Sequence, residues 1–370
     1  MPEAMRVKEP SPTIRYRDQF PAAYRILNQA IAARAFPGCA FGVLAGGNVV
    51  LEDALGRFTY DGDSLLVQPT TLYDAASVTK VAATTAAAML LYQRGQLDLD
   101  SEVADFLPEF PEGRAASDPG RKITLRHLLA HNSGLPGYVE LFRNAATPVE
   151  LLKACLRLPL EAEPGARSEY SDPGFILLGK ALEAVMAEPL DIWVQREIFA
   201  PLGMSATRFC PAAEKRSLIP PTEMDESFRH RRIQGEVQDE NAYVLGGVSG
   251  HAGLFSTVPD LLRFSAEILN AGSGNRLFQR ETVETFAERQ APEGSSRALG
   301  WDTPSENSSS GKHFSRHSIG HLGYSGCSLW IDLDAEIAVA LLTNRTWPDR
   351  KNQLIREVRP AFHNAVCEAL

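Results

Sequence analysis

The sequence lacks the marks of several large classes of protein. Its five cysteines lie far apart with no C-x-x-C pair, so neither a disulfide framework nor a zinc knuckle is expected. No apolar run approaches the roughly 20 residues that cross a bilayer, and the polar stretch 1–17 lacks the apolar core of a signal peptide. A formal net charge of −9 argues against nucleic acid or an anionic membrane as the main partner. We therefore expect a cytoplasmic protein, or a periplasmic or secreted one if a leader was removed.

Motifs for metals and cofactors are also missing. His127 and His131 have the spacing of a zinc-protease helix, but residue 128 is leucine where that chemistry requires glutamate. No G-x-G-x-x-G or Walker loop lies between a strand and a helix. The segment 247–251 (GVSGH) lacks the G-x-S-x-G spacing of an α/β-hydrolase. We expect no cofactor and no metal.

The strand-like patterns lie at the two ends of the chain. Residues 39–45 and 49–54 flank a Gly-Gly-Asn turn, and residues 328–332 and 337–343 form a second predicted hairpin. A helix is predicted from about Phe20 to Arg34 and another from Asp349 onward, with helices and loops between the hairpins. One antiparallel sheet built from both ends, packed against a helical lobe, would leave a cleft suited to a small molecule.

The predicted domain organisation follows from this pattern. Residues 1–19 form an N-terminal extension, and residues 20–370 form one two-lobed domain. The lobe that contains the sheet takes about 20–75 and 285–370, and an all-helical lobe takes about 76–284. The oligomeric state stays open.

A serine three residues before a lysine begins a strongly helical, alanine-rich run. Ser77 and Lys80 share one helix face, and an alcohol needs a base within hydrogen-bond distance to act as a nucleophile. The same spacing occurs at Ser309 and Lys312, in a serine-rich loop where no helix aligns the pair. The alternative is a helix-start serine followed by a surface lysine. The apolar run 81–92 favours a catalytic role for the pair, because such a helix is buried and a buried lysine requires a partner.

Two further segments are candidates for the same site. Tyr170 could act as a general base if cations lowered its pKa, or it could be an ordinary core residue. Asp172 followed by proline is typical of a helix start, with Asp172 as the N-cap. The stretch 321–326 (HLGYSG) precedes a predicted strand, where a glycine-rich edge can offer backbone N–H groups to a ligand. The alternative there is a turn with an incidental histidine.

The order of these motifs resembles that of the penicillin-binding proteins and class C β-lactamases. In that superfamily Ser-x-x-Lys starts a helix, Tyr-x-Asn or Tyr-x-Asp follows, and Lys/His-x-Gly lies on a C-terminal strand. The resemblance runs from about Pro21 to the C-terminus and includes the segments 131–135, 239–243, 250–256, 328–332 and 341–345. It implies an α+β, β-lactamase/transpeptidase-like fold, with the antiparallel sheet flanked by helices.

The resemblance assigns roles to the motif residues. Ser77 would attack the carbonyl group of a substrate and become acylated. Lys80 and Tyr170 would share the proton transfers of acylation and deacylation. The backbone N–H groups of Ser77 and Tyr324 would form the oxyanion hole, beside Gly323.

Two departures from the family pattern bear on the substrate. His321 and Leu322 replace a lysine and a threonine that help to hold a substrate carboxylate, which lowers the expectation of efficient β-lactam hydrolysis. An ester, an amide or a peptide held in another way is favoured. Asp172 replaces a common asparagine, and we expect its charge to raise the pKa of Lys80 and to leave more of the proton transfer to Tyr170.

The predicted function is a serine hydrolase that forms an acyl-enzyme. Its partner would be a small ester, amide, β-lactam or D-amino-acid peptide, and the activity that of an esterase, a D-alanine carboxypeptidase or a β-lactamase. The alternative is a non-hydrolytic penicillin-binding or sensor protein that is acylated without turnover. The walls of the pocket are expected in the loops 137–142, 222–241 and 297–312.

Overall fold

The two ends of the chain meet in one five-stranded antiparallel sheet. The computed structural model describes residues 16–112, 114–274 and 276–370, so most of the predicted extension 1–19 lies outside the described residues. The strands are β1 (Gly38–Ala45), β2 (Asn48–Gly56), β3 (Tyr73–Asp74), β4 (Arg208–Phe209), β5 (Pro221–Asp225), β6 (Arg231–Gln234), β7 (Leu254–Ser256), β8 (Ser318–Leu322), β9 (Ser328–Asp332) and β10 (Ile337–Thr343). The main sheet has the order β2-β1-β10-β9-β8. Both predicted hairpins, and a sheet built from both ends, are confirmed.

Helices cover both faces of this sheet and fill the middle of the chain. The α-helices are α1 (Tyr16–Gln19), α2 (Pro21–Ala32), α3 (Ala86–Gln93), α4 (Val103–Phe106), α5 (Leu125–Leu129), α6 (Pro148–Leu156), α7 (Asp172–Met186), α8 (Leu190–Val194), α9 (Glu240–Val244), α10 (Val258–Leu269), α11 (Arg280–Ala287) and α12 (Ile355–Cys367). The 3₁₀ segments are Ala76–Val78, Pro119–Lys122, Leu141–Arg143 and Ala213–Leu218, and the π segments are Lys80–Thr85 and Gln195–Phe199. None of the helices in the described ranges is long and apolar enough to span a membrane.

The central strand β10 shows why the sheet was recognisable from sequence. Val339 and Leu341 pack in a cluster with α2 and α12, whereas Ala338, Ala340 and Leu342 point to the other face and join the larger core with α10. All five side chains are fully buried. A strand that is buried on both faces forms a continuous apolar run.

The middle of the chain is mostly helical but contains strands as well. Two small sheets, β3-β7-β4 and β5-β6, involve four strands from the region that the sequence assigns to helices. The expectation of an all-helical lobe is therefore wrong in this detail, because strands of two to five residues are too short to show a clear alternation. Helix α10 also comes from this region, yet it packs on β1 and β10. The predicted lobe boundaries stay a prediction.

The last helix starts later than predicted, at Ile355 rather than at Asp349. The side chain of Arg345 donates to the backbone carbonyl groups of Arg350 and Asn352, at 3.3 and 3.1 Å. These carbonyl groups are therefore engaged outside a helical ladder, and the segment before α12 runs irregularly past the mouth of the cleft.

Candidate active site

The three predicted motifs lie together in a cleft of about 660 Å³. Its lining includes Ser77, Tyr170, Asp172 and the segment 321–324. Lys80 contacts this group from the interior, because its Nζ lies 3.1 Å from Ser77 Oγ. The motifs that the sequence places far apart are thus brought to one site.

The walls of the cleft come partly from the predicted loops. Residues 137–138, 237–240 and 297 belong to the three loops named above, and all of them line the cleft. The segment 345–359 also contributes, with four arginines among its lining residues. The sequence did not indicate this last wall, since most of it lies in the stretch from Asp349 onward that is predicted as helix.

Ser77 lies on an irregular helix start in place of the regular helix that its sequence suggests. The segment Ala76–Val78 is 3₁₀, and Lys80–Thr85 is a π-helix that leads into α3. Ala76 has φ of +47°, a left-handed conformation that costs an alanine about 1–2 kcal/mol. The hydroxyl group of Thr79 donates to the Ala76 carbonyl group at 2.6 Å and accepts from a backbone N–H of β7. Such strained segments concentrate at functional sites.

Lys80 is fully buried, and its three N–H bonds all have acceptors. Nζ lies 2.6 Å from Asp172 Oδ1, 3.0 Å from the carbonyl oxygen of His251 and 3.1 Å from Ser77 Oγ. Burial alone would lower the pKa of Lys80, but Asp172 and Tyr170 outweigh burial and raise it above the ordinary 10.5. The prediction that Asp172 raises the pKa of Lys80 is confirmed. At neutral pH Lys80 is an ammonium group without a lone pair for base chemistry.

Asp172 reaches Lys80 from the first turn of α7. The N-cap of that helix is Ser171, whose Oγ accepts from the N–H of Gly174 at 3.1 Å. The expectation that Asp172 is the cap is therefore wrong by one residue. Because Ser171 caps the helix, the Asp172 carboxylate can bond Lys80, and the helix N-terminus stabilises its negative charge.

Tyr170 lies between the nucleophile and a buried histidine. Its hydroxyl group interacts with the side chains of Ser77 and Lys80. The ring of His131 lies 4.7 Å from the Tyr170 ring, and His131 Nδ1 accepts from the N–H of Ser171 at 3.0 Å. Burial raises the pKa of Tyr170 above its ordinary value of 10, and the charge of Lys80 offsets this only in part. At pH 7 most molecules therefore carry a neutral phenol beside Ser77.

The end of strand β8 brings a tight backbone turn to the nucleophile. The N–H of Gly323 donates to the carbonyl group of Cys327 at 2.7 Å. A Cβ at position 323 would lie 2.5 Å from the carbonyl oxygen of Ala75, so only glycine allows this approach. Tyr324 follows with its side chain 51% exposed at the mouth of the cleft. The turn thus packs against the residues that precede Ser77.

His321 is a neutral hydrogen-bond acceptor. Burial lowers its pKa well below 6.5, and the charges of Lys80 and Arg297 lower it further. Nδ1 lies 2.8 Å from the carbonyl oxygen of Leu322; since a carbonyl group can only accept, Nδ1 carries the proton. Nε2 is then an acceptor, and it is buried without a hydrogen-bond partner in the part of the chain that the structure describes. His321 supplies no positive charge to a substrate.

Arg297 is a cation that no motif predicts, and it lies in this group. Its Cζ is 5.3 Å from the centroid of the Tyr170 ring, and its side chain is 22% exposed. Its Nη1 lies 3.7 Å from Asp302 Oδ1, an oxygen that already accepts from Ser296 Oγ at 2.7 Å. The ion pair is therefore loose. The one sequence signal was the position of Arg297 at the start of a predicted wall loop.

A buried hydrogen-bond chain lies behind Lys80. His251 Nδ1 is 2.8 Å from Ser249 Oγ, and His251 Nε2 is 2.8 Å from Asp239 Oδ1. Ser249 is 4% exposed and His251 1%, so this serine is closed to a substrate. Burial alone would raise the pKa of Asp239, but His251 outweighs it and the pKa falls to about 2. The chain fixes His251, whose carbonyl group accepts from Lys80.

The arrangement defines a class of protein. A serine at a helix start beside a buried ammonium group, a tyrosine in contact with both, and a glycine turn at a sheet edge are the parts of a serine hydrolase that forms an acyl-enzyme. The chain belongs to the Beta-lactamase family, whose family model matches residues 24–360. The predicted family and its fold are confirmed.

Relatives of this chain carry several names. It is 32% identical over 357 residues to "N-acetylmuramyl-L-alanine amidase" of Bacillus subtilis (strain 168). This match covers 87% of this chain and 80% of the relative. It is 33% identical over 347 residues to "Putative D-alanyl-D-alanine carboxypeptidase" of Salmonella agona (strain SL483), covering 84% and 79%. The structure of EstCE1, a hydrolase with promiscuous acyltransferase activity, superposes with a TM-score of 0.78 at 22% identity, over 95% of this chain and 99% of that one. The last similarity shows the fold alone.

Proposed function

We propose that this protein hydrolyses small D-amino-acid peptides or related amides through an acyl-enzyme on Ser77, and that its substrates carry a carboxylate beside the scissile bond. The observation that supports a substrate with a carboxylate is the position of Arg297, a loosely paired cation next to Tyr170 and His321. Two relatives bear the names of enzymes that cleave amide bonds, and one of these names, a putative D-alanyl-D-alanine carboxypeptidase, is that of a D-amino-acid peptidase.

The reaction follows from the contacts around Ser77. Ser77 Oγ bonds to the carbonyl carbon while its proton passes to the oxygen of an ionised Tyr170, whose charge Lys80 stabilises. The tetrahedral oxyanion accepts from the N–H groups of Ser77 and Tyr324. The C–N bond then breaks as Tyr170 protonates the leaving nitrogen, which leaves an ester on Ser77. Water attacks the carbonyl carbon of that ester and gives a proton to Tyr170. The bond between this carbon and Ser77 Oγ then breaks, the carboxylic acid product leaves, and Tyr170 returns the proton to Ser77 Oγ.

Arg297 supplies the charge that the edge strand lacks. A lysine at position 321 would hold a substrate carboxylate. His321 is neutral, and its ring nitrogen without a hydrogen-bond partner among the described residues, Nε2, is an acceptor. A guanidinium group donates two parallel hydrogen bonds to a carboxylate. We therefore assign the carboxylate to Arg297, whose Cζ lies 5.3 Å from the centroid of the Tyr170 ring.

Arg297→Met is expected to lower kcat/KM about 10- to 100-fold for a peptide with a free carboxylate, because a hydrogen bond to a charged group contributes about 1.5–3 kcal/mol. For a neutral ester such as p-nitrophenyl acetate we expect less than a threefold change. Steady-state kinetics on both substrates measure the ratio.

Two variants control this test. Arg297→Lys keeps the charge and should recover part of the loss. Arg289→Met removes an exposed arginine that donates to the Pro304 carbonyl group outside the cleft, and it should affect neither substrate. If Arg297→Met slowed the ester and the peptide equally, the guanidinium group would not be a carboxylate anchor.

The acyl-enzyme itself is tested by mass spectrometry. After mixing with p-nitrophenyl acetate or an N-acylated D-alanyl-D-alanine peptide, we expect a transient adduct on Ser77 followed by product release, whereas a fluorescent penicillin need only form the adduct. Ser77→Ala should give no adduct and lose turnover about 10⁴-fold or more. A stable adduct without product on both the ester and the peptide would favour the acylated, non-hydrolytic alternative. An unmodified protein with all three probes would overturn the proposed function.

A further inference from the structure

Asp74 is a buried carboxylate at the end of β3, and it lines the cleft beside the nucleophile. Each of its two carboxylate oxygens accepts a hydrogen bond from a backbone N–H group. Oδ1 accepts from the N–H of Ala76 at 2.8 Å, and Oδ2 accepts from the N–H of Gln238 at 2.7 Å. The first contact holds the left-handed residue that directly precedes Ser77.

The backbone of Asp74 makes a third contact, on the other side of the proposed oxyanion hole. Its carbonyl oxygen accepts from Ser325 Oγ at 2.8 Å. Ser325 is the residue after Tyr324, whose N–H is the second proposed oxyanion donor. One residue therefore bonds to the chain next to each of the two donors.

The charge of Asp74 makes these contacts costly to keep. Burial raises the pKa of Asp74 to about 6, although the N–H groups of Gln238 and Ala76 lower it in part. Within the described ranges Asp74 belongs to no ion pair, since Arg229 acts on it only at longer range. A buried carboxylate without a paired cation destabilises a fold. An amide or a hydroxyl side chain would avoid that cost but could not accept from both N–H groups.

We propose that Asp74 is a positioning residue that sets the geometry of the oxyanion hole. By holding Ala76 at positive φ it orients the N–H of Ser77, and through Ser325 it fixes the turn that carries the N–H of Tyr324. The proposal rests on the proposed function, because an oxyanion hole has a role only if Ser77 is acylated. Asp74 itself does not touch the substrate.

Asp74→Asn tests the proposal while keeping the shape of the side chain. The amide can accept with one oxygen only and turns its NH₂ toward the other N–H group. We expect kcat to fall about 30- to 100-fold with less than a threefold change in KM, since removal of a whole oxyanion donor costs about 10²–10³. Binding of phenylboronic acid, which forms a tetrahedral adduct on Ser77, should weaken by a similar factor.

Stability separates a positioning role from a merely structural one. Because the pKa of Asp74 is raised to about 6 in the folded protein, its contribution to stability is present below the unfolded value near 4 and is lost as the pH rises through 6. At pH 7 a neutral asparagine removes the cost of the charge, which offsets the lost hydrogen bond. The melting temperature of Asp74→Asn should therefore stay within a few degrees of the wild-type value.

Asp260→Asn is the control for the loss of a buried carboxylate. Asp260 is equally buried, and its Oδ2 accepts from the backbone N–H groups of Ala206 and Thr207, at 2.9 Å each, while its Oδ1 pairs with Arg263. It lies outside the residues that line the cleft. We expect this variant to lose stability while the folded fraction keeps the wild-type kcat and boronate affinity.

The outcomes distinguish this proposal from the proposed function. If wild-type Ser77 is never acylated, the proposed function is wrong, and the proposed oxyanion hole has no role. If the wild type is acylated and Asp74→Asn keeps its kcat and its boronate affinity, the role of Asp74 is overturned and the proposed function stands. A loss of kcat that only matches a loss of folded protein, as in the control, also overturns it.

Discussion

Tyr170→Phe should lower kcat/KM about 10³- to 10⁴-fold, nearly as much as Ser77→Ala, while Ser77 stays in place. The reason is the state of Lys80, whose three N–H bonds are all engaged and whose pKa is raised by Asp172 and Tyr170 against the effect of burial. An ammonium group cannot take the proton of Ser77, so the oxygen of Tyr170 must do so. A general base contributes about 10²–10⁴ to a rate. Rapid-quench mass spectrometry of the acylation step measures the loss.

The pH dependence of the same reaction gives an independent check on Tyr170. Burial raises the pKa of Tyr170 above 10, so the reactive phenolate is a small fraction at pH 7 and grows as the pH rises toward that pKa. The wild-type kcat/KM should therefore increase with pH across the neutral range. In Tyr170→Phe this slope should be absent. A phenylalanine variant that acylates at near the wild-type rate would contradict the assignment.

The site was largely predictable because its parts are local motifs. Ser77 and Lys80 are close in sequence, and their shared orientation survives although the helix start is 3₁₀ and π rather than α. Asp172 was placed next to Lys80 by the family pattern, and the contact is 2.6 Å. Which of Lys80 and Tyr170 acts as the base required the full set of acceptors around Nζ. One of these is the carbonyl group of His251, which no pattern of side chains reveals.

Arg297 and Asp74 show what the sequence alone could not indicate. Arg297 lies in an irregular loop, and its position beside Tyr170 depends on how the whole lobe folds against the sheet. Asp74 looks like a polar residue in a short strand, and two of its three contacts come from distant segments that meet only in the tertiary structure. In both cases the missing information is long-range packing, which residue periodicity does not encode.

The charge pattern of the cleft also became visible only in three dimensions. The sequence places a histidine where many relatives have a lysine, and this suggested weak recognition of carboxylates. The structure keeps His321 neutral, mainly through burial and further through the charges of Lys80 and Arg297. A protonated histidine beside the guanidinium group would be repelled. Arg297 therefore adds to the neutrality of His321, and it is the cation to which we assign the binding of a carboxylate.

Removal of Lys80 should lower both the stability of the fold and the rate of acylation. A second substitution distinguishes these two effects. Lys80→Met leaves the carboxylate of Asp172, which is 15% exposed, and the carbonyl group of His251 without their donor. Breaking a buried pair by removing one partner costs about 3–5 kcal/mol. Because Lys80 has a raised pKa, this stability is present below about pH 10.5 and is lost as the pH rises through the raised value. The difference between wild type and variant in chemical denaturation should therefore narrow in strong alkali.

The double variant Lys80→Met/Asp172→Asn distinguishes the two roles of Lys80. Replacing Asp172 removes the unpaired charge, so we expect most of the lost stability to return. The rate of acylation should stay about 10³-fold or more below that of the wild type, since the charge that stabilises the phenolate of Tyr170 is still missing. Lys180→Met on the same helix α7 breaks a more exposed pair with Glu183, and it should change stability by about 1 kcal/mol or less and leave acylation intact. If the double variant recovered acylation together with stability, Lys80 would serve only to neutralise Asp172, and Tyr170 would act without it.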